Sequence, residues 1–311
     1  MDISIQPLQR TLDIAPGQNL LEALRAHQIP ISYSCMAGRC GTCRCRLNGE
    51  TVLACQTTVV DACTVEIPEI DEVVVHPARI LKTTVTSIED MTHDIKRLRL
   101  KLSKPFAFSP GQYAHLQFTP EHIRPYSMAV TENPDEIEFH IRLVPEGRVT
   151  TYVGNTLKVG DAVRVSGPLG TAYLRRKTAG PIVCIAGGTG LAPVLSILRG
   201  MAEARMDNDV HVYFGVRSRA DIYGEPWLAA LRQAMPNMTF HVVVASNDAQ
   251  DHRGGMVTQA VDDDWSAMDG WTAYLAGAPA MVDAATSLLQ GKGVAPEHIH
   301  ADAFHTTGDK A

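Results

Sequence analysis

One stretch near the amino terminus limits what this chain can build. Cys35, Cys40 and Cys43 fall at Cys-x4-Cys-x2-Cys, with Gly38 and Gly41 among them. Thiolates at this spacing suit three of the four ligands of a [2Fe–2S] cluster. The glycines suit it as well. A loop wrapped closely round a cluster must turn through positive φ and aim backbone N–H groups at the sulfurs. Structural cysteines pack well as small apolar residues, but packing would require neither the glycines nor the spacing. A zinc ribbon would want two Cys-x2-Cys knuckles. Cys55 and Cys63 are the candidates for the fourth thiolate, and Cys45 reads as strand packing.

The seven cysteines, four of them crowded into that region, point to a reducing compartment rather than a disulfide scaffold. A length of 311 residues predicts two or three domains. The net charge of -6 is too mild for a disordered chain or a nucleic-acid surface. Strand alternation begins at Asp2 with no basic segment before it, so no signal peptide is expected and the cytoplasm is the expected location. The apolar run from Pro181 to Leu198 has the length of a membrane span, but three glycines and two prolines interrupt it. It reads as a buried strand, a turn and a helix, with no membrane partner. No internal repeat or low-complexity tract is visible.

Three textures follow one another. Residues 2–6 and 9–14 alternate as a hairpin, Asn19 is placed to cap a helix carrying Leu20, Leu21 and Leu24, and Asn48-Gly49 marks a second hairpin tip. With a closing strand near 64–67, this predicts an α+β β-grasp domain over 1–72, followed by a linker at 73–78. From 79 to 176 strand follows strand: 78–89, 95–102, 112–118, 126–130, 137–144 and 162–166. Such spacing predicts an antiparallel β-barrel. Over 177–311 the predicted strands 182–186, 210–216, 239–245 and 273–276 alternate with helices 191–205, 225–235 and 281–289. That pattern predicts an α/β parallel sheet.

Two segments in the later domains carry chemistry. Gly187, Gly188, Thr189 and Gly190 follow a strand and open a helix, where Leu191 and Pro193 fit the first turn. Glycines at a strand's carboxyl end let a phosphate or ring approach the backbone, and the helix N-terminus favours an anion. A plain strand–helix turn would use the same residues. In the barrel, Arg124, Pro125, Tyr126 and Ser127 offer a cation for phosphate, a face for stacking and a hydroxyl for a ring nitrogen. His140, Ile141 and Arg142, with Gly147, Arg148, Val149 and Thr150, add donors at strand and helix ends. His76, His93, His298 and His300 form no ligand spacing with a carboxylate and read as structural or solvated.

On these residues the chain resembles the reductase components of bacterial aromatic ring-hydroxylating dioxygenases. The likeness covers nearly the whole length, including Pro168 to Leu174. It implies a plant-type ferredoxin domain, a barrel binding FAD and a domain binding NAD(P)H. It assigns Arg124 to a flavin phosphate, Tyr126 to the isoalloxazine face and Ser127 to the redox-active edge, the last two being the catalytic pair. His140 to Arg142 and Gly147 to Thr150 take the rest of FAD. Gly187 to Pro193, Arg217 and Gly277 line the nucleotide cleft, and Phe304 is similar to the family's aromatic near the flavin. Cys55, in Leu53-Ala54-Cys55-Gln56, is similar to the fourth ligand segment, making the set Cys35, Cys40, Cys43 and Cys55. Two departures stand out. Ala276 replaces the family's cysteine before the Gly277 turn, and only eleven residues separate Cys43 from Cys55, fewer than in the family. Twelve Cα steps span roughly 40 Å extended, enough for a hairpin to return Cys55 to the cluster.

The implied activity is electron transfer from NADH through FAD and the cluster to a small ferredoxin, of Rieske or plant type, in an oxygenase system. The protein is expected to act as a monomer. NADH is expected to outperform NADPH, with Asp221 suited to a ribose 2′-hydroxyl and Arg217 and Arg219 suited to a 2′-phosphate. Two other readings remain open here: direct reduction of a terminal oxygenase, and a cluster-free flavin oxidoreductase whose first domain only docks. Arg39, Arg44 and Arg46 surround the cysteine loop as a basic collar able to steer an acidic partner.

Overall fold

The computed structural model describes residues 1–33, 36, 38, 41–68, 76–129 and 133–305. It divides into two compact units. One is residues 1–79 with the short segments 107–109 and 167–171. The other holds most of the barrel and the whole parallel sheet, so the second and third sequence textures share one unit. The expected end of the first domain, near 71–72, lies outside the described residues.

In the first unit, β1 (Asp2–Gln6) and β2 (Arg10–Asp13) form the expected hairpin. The short β3 (Gln18–Asn19) leads into α1 (Leu20–Ala26). Next come β4 (Arg44–Leu47), β5 (Glu50–Leu53), β6 (Thr58–Val59) and β7 (Cys63–Glu66). The sheet runs β2-β1-β7-β4-β5, with β1 and β7 parallel, while β3 pairs with β6. Asn48 and Gly49 take φ of 50° and 87° at the β4–β5 tip, the left-handed pair that a two-residue hairpin needs. Leu20, Leu21, Ala23 and Leu24 are all buried by α1. Each buried leucine contributes about 1.5–3 kcal/mol.

In the barrel, β8 (Arg79–Asp90), β9 (Ile95–Leu102), β10 (Tyr113–Thr119), β11 (His122–Ala129), β12 (Glu136–Arg142) and β13 (Ala162–Leu169) close in the order β10-β11-β12-β9-β8-β13. β11 begins earlier than expected. Pro125, which breaks the sequence pattern, pairs with His115 in register. Helix α2 (Arg148–Asn155) was not foreseen as a separate element; it buries only Val149, Thr150 and Val153.

The parallel sheet comprises β14 (Ile182–Gly187), β15 (Val210–Val216), β16 (Met238–Val244), β17 (Arg253–Gly254), β18 (Thr272–Gly277) and β19 (Ile299–Ala303). Its order is β17-β16-β15-β14-β18-β19, parallel throughout. The intervening helices are α3 (Leu191–Glu203), α4 (Glu225–Ala234), α5 (Val257–Asp264) and α6 (Pro279–Gly291). β14 is apolar throughout because both its faces are buried. Ile182, Cys184 and Ala186 enter one core, and Val183 and Ile185 the other. Neither α5 nor β19 was expected; β19 is short and carries His300 and Asp302. No helix among the described residues is long and apolar enough to cross a membrane.

Asn19 joins α1 to the cysteine-bearing turn. Its Oδ1 accepts from Glu22 N at 3.2 Å as the N-cap, and its Nδ2 donates to Cys55 O at 3.1 Å. Asn19→Ala is expected to destabilise the first module by about 1–2 kcal/mol. Urea-induced bleaching of the cluster's visible absorption measures this; an unchanged midpoint would show that the cap carries no weight.

Candidate functional site

In the first unit the structure sorts the described thiols. The backbone N–H of Cys55 points at Cys43 Sγ, 3.4 Å away, and Ala54 N donates to Cys43 O at 3.0 Å. The Gln56 side chain lies 3.5 Å from Cys55 Sγ through Nε2. Gly38 and Gly41 both have φ of +72°, and a Cβ at Gly38 would collide with Gln56. Cys45 and Cys63 belong to the same apolar cluster as Cys43 and Cys55. Burial pushes the Cys45 thiol up to about 11, with neighbouring Cys63 adding to the effect, and burial also raises Cys63. Cys43 and Cys55, brought together with a donor on sulfur, fit two ligands of a cluster that requires thiolates. Cys35, Cys40 and Arg39 lie outside the described residues. Of the collar, Arg44 is exposed, and Arg46 stands 3.8 Å from Glu66.

In the second unit, β11 carries Arg124, Pro125, Tyr126 and Ser127. The first two are exposed, Tyr126 is half-buried and Ser127 is buried. Burial raises the Tyr126 hydroxyl well above its ordinary range, with Arg124 opposing, so it stays protonated. Helix α2 packs on the same strand, Tyr152 stacking on His122 at 4.9 Å. Gly147 is the N-cap of α2 and makes no side-chain cap, and a Cβ there would strike Thr150 Oγ1 and Val144. The Thr150 hydroxyl is committed to this turn, bonding Val144 and Gly147. Arg148 donates to Glu121 O at 2.6 Å. An uncapped helix end beside an exposed arginine fits the phosphates of FAD.

His140 sits apart from that surface. Its side chain is buried, Nε2 lies 3.0 Å from Glu138 Oε1, Nδ1 lies 3.1 Å from the Tyr223 hydroxyl, and Trp227 stacks on the ring. Any flavin contact at this position therefore falls to the backbone. Burial keeps His140 below its usual range despite Glu138. With Nε2–H donating to the carboxylate, Nδ1 accepts the Tyr223 proton; this tautomer is assigned from the network. Glu138 also receives Arg97 Nε at 2.8 Å and Arg99 Nε at 3.1 Å. Burial would raise it, but His140 and Arg97 prevail and hold it at about 2. Ile141 is buried in the barrel.

The glycine turn from Gly187 to Gly190 links β14 to α3, which begins with Leu191 and Pro193 buried. Gly188 has φ of +55°, and a Cβ there would meet the Arg142 guanidinium. A Cβ on Gly190 would overlap the Ala276 carbonyl. Two of the three glycines are therefore constrained before any nucleotide binds, Gly188 by its φ and Gly190 by the Ala276 backbone. The turn remains bare backbone at a strand's carboxyl end, which fits a dinucleotide.

β19 supplies what the sequence reading missed. Its pairing with β18 sets Asp302 opposite Ala276, and Phe304 N donates to Gly277 O at 2.8 Å. Asp302 Oδ2 accepts from Ser127 Oγ at 2.9 Å. Ser127 thus meets an acid on β19, the strand that also holds Phe304 beside Gly277. Burial pushes that acid up to about 6, while the Ser127 hydrogen bond opposes the rise.

Arg217 follows β15, and its Nη2 lies 2.8 Å from Asp94 and 2.6 Å from Asp221. Asp221 is buried and caps its own turn, accepting from Ser218 N and Oγ at 2.9 Å. It is not available to a ribose hydroxyl as the sequence suggested. His93 does have carboxylate neighbours, Asp94 at 3.9 Å and Asp221 at 4.0 Å. The fold creates that contact from residues far apart in sequence. His300 is structural, stacked on Tyr274, and burial lowers it to about 3.

Gly190→Ala is expected to cost about 1–3 kcal/mol through overpacking and to slow flavin reduction by NADH at least tenfold. Thermal melting and stopped-flow absorbance check this, and a normal reduction rate would refute the packing argument. For Asp302 the folded pKa lies above the ordinary 3.8, so its cost to stability is absent below about pH 4 and grows as pH rises through 6. Asp302→Asn should therefore gain Tm over wild type as pH rises from 4 to 7. Parallel Tm curves for the two proteins would count against this.

Comparison with known proteins finds three family models along the chain. A 2Fe-2S iron-sulfur cluster binding domain matches residues 3–67, an oxidoreductase FAD-binding domain 82–173 and an oxidoreductase NAD-binding domain 184–287. The chain is 54% identical to the ferredoxin–NAD(P)+ reductase component of naphthalene 1,2-dioxygenase/salicylate 5-hydroxylase systems from a Ralstonia species, over 99% of this chain and 100% of that protein. Identity is 50%, with the same coverage, to the naphthalene 1,2-dioxygenase system reductase component of Pseudomonas putida. Among solved structures, an Amycolatopsis cytochrome P450 reductase matches with a TM-score of 0.75 at 32% identity, covering 97% of this chain and 98% of that one. The ferredoxin reductase of carbazole 1,9a-dioxygenase matches with a TM-score of 0.70 at 28% identity, covering 98% of each. With half or more of its residues shared end to end and the three modules in one chain, the protein belongs to the family of ferredoxin–NAD(P)+ reductase components of naphthalene dioxygenase systems.

Proposed function

We propose that this chain takes electrons from NADH and delivers them, through FAD and a [2Fe–2S] cluster, to the small ferredoxin of an aromatic ring-hydroxylating dioxygenase system. One observation carries the reading: all three modules lie in a single chain that matches such a reductase over its full length. It works as a monomer in the cytoplasm, and its acceptor is a Rieske or plant-type ferredoxin. The oxygenase, not this chain, selects the aromatic substrate. The modules extend over 1–72, 79–176 and 177–311, joined by a linker at 73–78; the matched ranges fall within these limits.

Bound FAD would supply hydride acceptance and one-electron release, and a bound [2Fe–2S] cluster one-electron transfer. The chain's own residues bind and orient. Arg124 and the amides opening α2 neutralise phosphate charge, and Tyr126 offers its ring. The Ser127 hydroxyl presents its oxygen while its proton rests on Asp302. The Gly187–Gly190 turn admits the dinucleotide, and Phe304 is held beside Gly277. Cys35, Cys40, Cys43 and Cys55 hold the cluster; Cys43 and Cys55 have the contact described above, and Cys63 does not.

Cys55→Ser is expected to lose bound iron, acid-labile sulfide and ferredoxin reduction while keeping NADH-driven flavin reduction. Cys63→Ser should keep all four. Iron and sulfide assays with anaerobic kinetics decide the matter. Loss of the cluster only in Cys63→Ser reverses the ligand assignment, and a wild type that holds none after anaerobic reconstitution makes the first module a docking domain.

A further inference from the structure

Arg217 stands at the carboxyl end of β15, the strand after the glycine turn. In an open parallel sheet the adenosine ribose of a bound dinucleotide rests at that position. A guanidinium there, unpaired, would attract a 2′-phosphate. This one is held. Nη2 lies 2.8 Å from Asp94 Oδ2 and 2.6 Å from Asp221 Oδ1. Asp221 cannot swing away, because its other oxygen accepts both the N–H and the hydroxyl of Ser218.

Asp94 comes from a different part of the unit, the turn between β8 and β9 of the barrel. It is also fixed in place. Thr92 Oγ1 donates to its Oδ1 at 3.1 Å, and Arg142 Nε lies 3.4 Å from its Oδ2. Asp94 and Asp221 thus take up the charge of Arg217, and with Arg142 on Asp94 the four groups carry no net charge, so the guanidinium offers an added dianion little attraction while an uncharged ribose hydroxyl is unaffected. Arg219, exposed two residues on, leaves one cation nearby and makes the discrimination partial.

We propose that Asp94 is a specificity-determining residue: with Asp221 it clamps Arg217 and so selects NADH against its 2′-phosphorylated form. This rests on the nucleotide site proposed above. The test uses the FAD- and cluster-loaded protein, with calorimetric titration of 2′,5′-ADP and 5′-AMP and with NADPH and NADH kinetics. Asp94→Asn keeps the shape and removes the charge. It should shift the ratio of the two affinities about three- to fivefold toward 2′,5′-ADP, the size of a partly exposed ion pair, with kcat/KM for NADPH over NADH moving in parallel. Adding Arg217→Ala should cancel the gain. An unmoved ratio in Asp94→Asn, or a gain that survives in the double variant, overturns the clamp. Failure of 5′-AMP to bind even the wild type would instead overturn the nucleotide site itself.

Discussion

Gly190 has no room for a side chain, because the Ala276 backbone lies against it, and the start of α3 is fixed by that contact. Backbone approaches backbone at Ala276, and the Arg142 guanidinium fills the space over Gly188. Close packing of this kind leaves little tolerance for added atoms. The Gly190 contact sets the start of α3 against β18. A nucleotide entering there meets a surface already formed, so little ordering remains to be done on binding.

A second constraint is electrostatic. Glu138, His140 and Tyr223 form a buried polar chain from the barrel to the segment before α4, and Arg97 and Arg99 complete it. Burying a lone carboxylate would cost several kcal/mol. Here two guanidinium groups and an imidazole N–H satisfy it, and its charge persists far below neutral pH. Removing one member would leave the others buried and unpaired, which is more damaging than the net worth of any single bond. The Arg217 cluster has the same logic at the surface, where solvent weakens each pair.

The smaller unit separates its described thiols by environment. Cys45 and Cys63 lie in surroundings that raise their pKa values and favour the neutral thiol. In the turn at Cys55 the backbone N–H of that residue is instead directed at Cys43 Sγ. The Asn48-Gly49 hairpin returns the chain to that turn over a short interval, and Asn19 ties the turn to α1. The short interval thus keeps Cys55 in contact with Cys43.

Local chemistry in the chain was enough to determine the three kinds of module. Thiolate spacing, strand alternation and an apolar strand entering a glycine turn are all written over a few consecutive residues. The Asn19 cap, the Asn48-Gly49 tip and the glycine turn were legible for that reason. Tertiary structure alone decided the rest, because the partners are distant in sequence. Ser127 meets Asp302 only after β19 pairs with β18, and β19 is too short and too polar to announce itself. His140 reads as a surface donor until Glu138 and Tyr223 enclose it. Asp221 reads as a ribose acceptor until Ser218 and Arg217 occupy its oxygens, and Asp94 joins them from another sheet. Residue type states what a side chain can bind; which partner reaches it first depends on packing between elements that sequence periodicity does not encode.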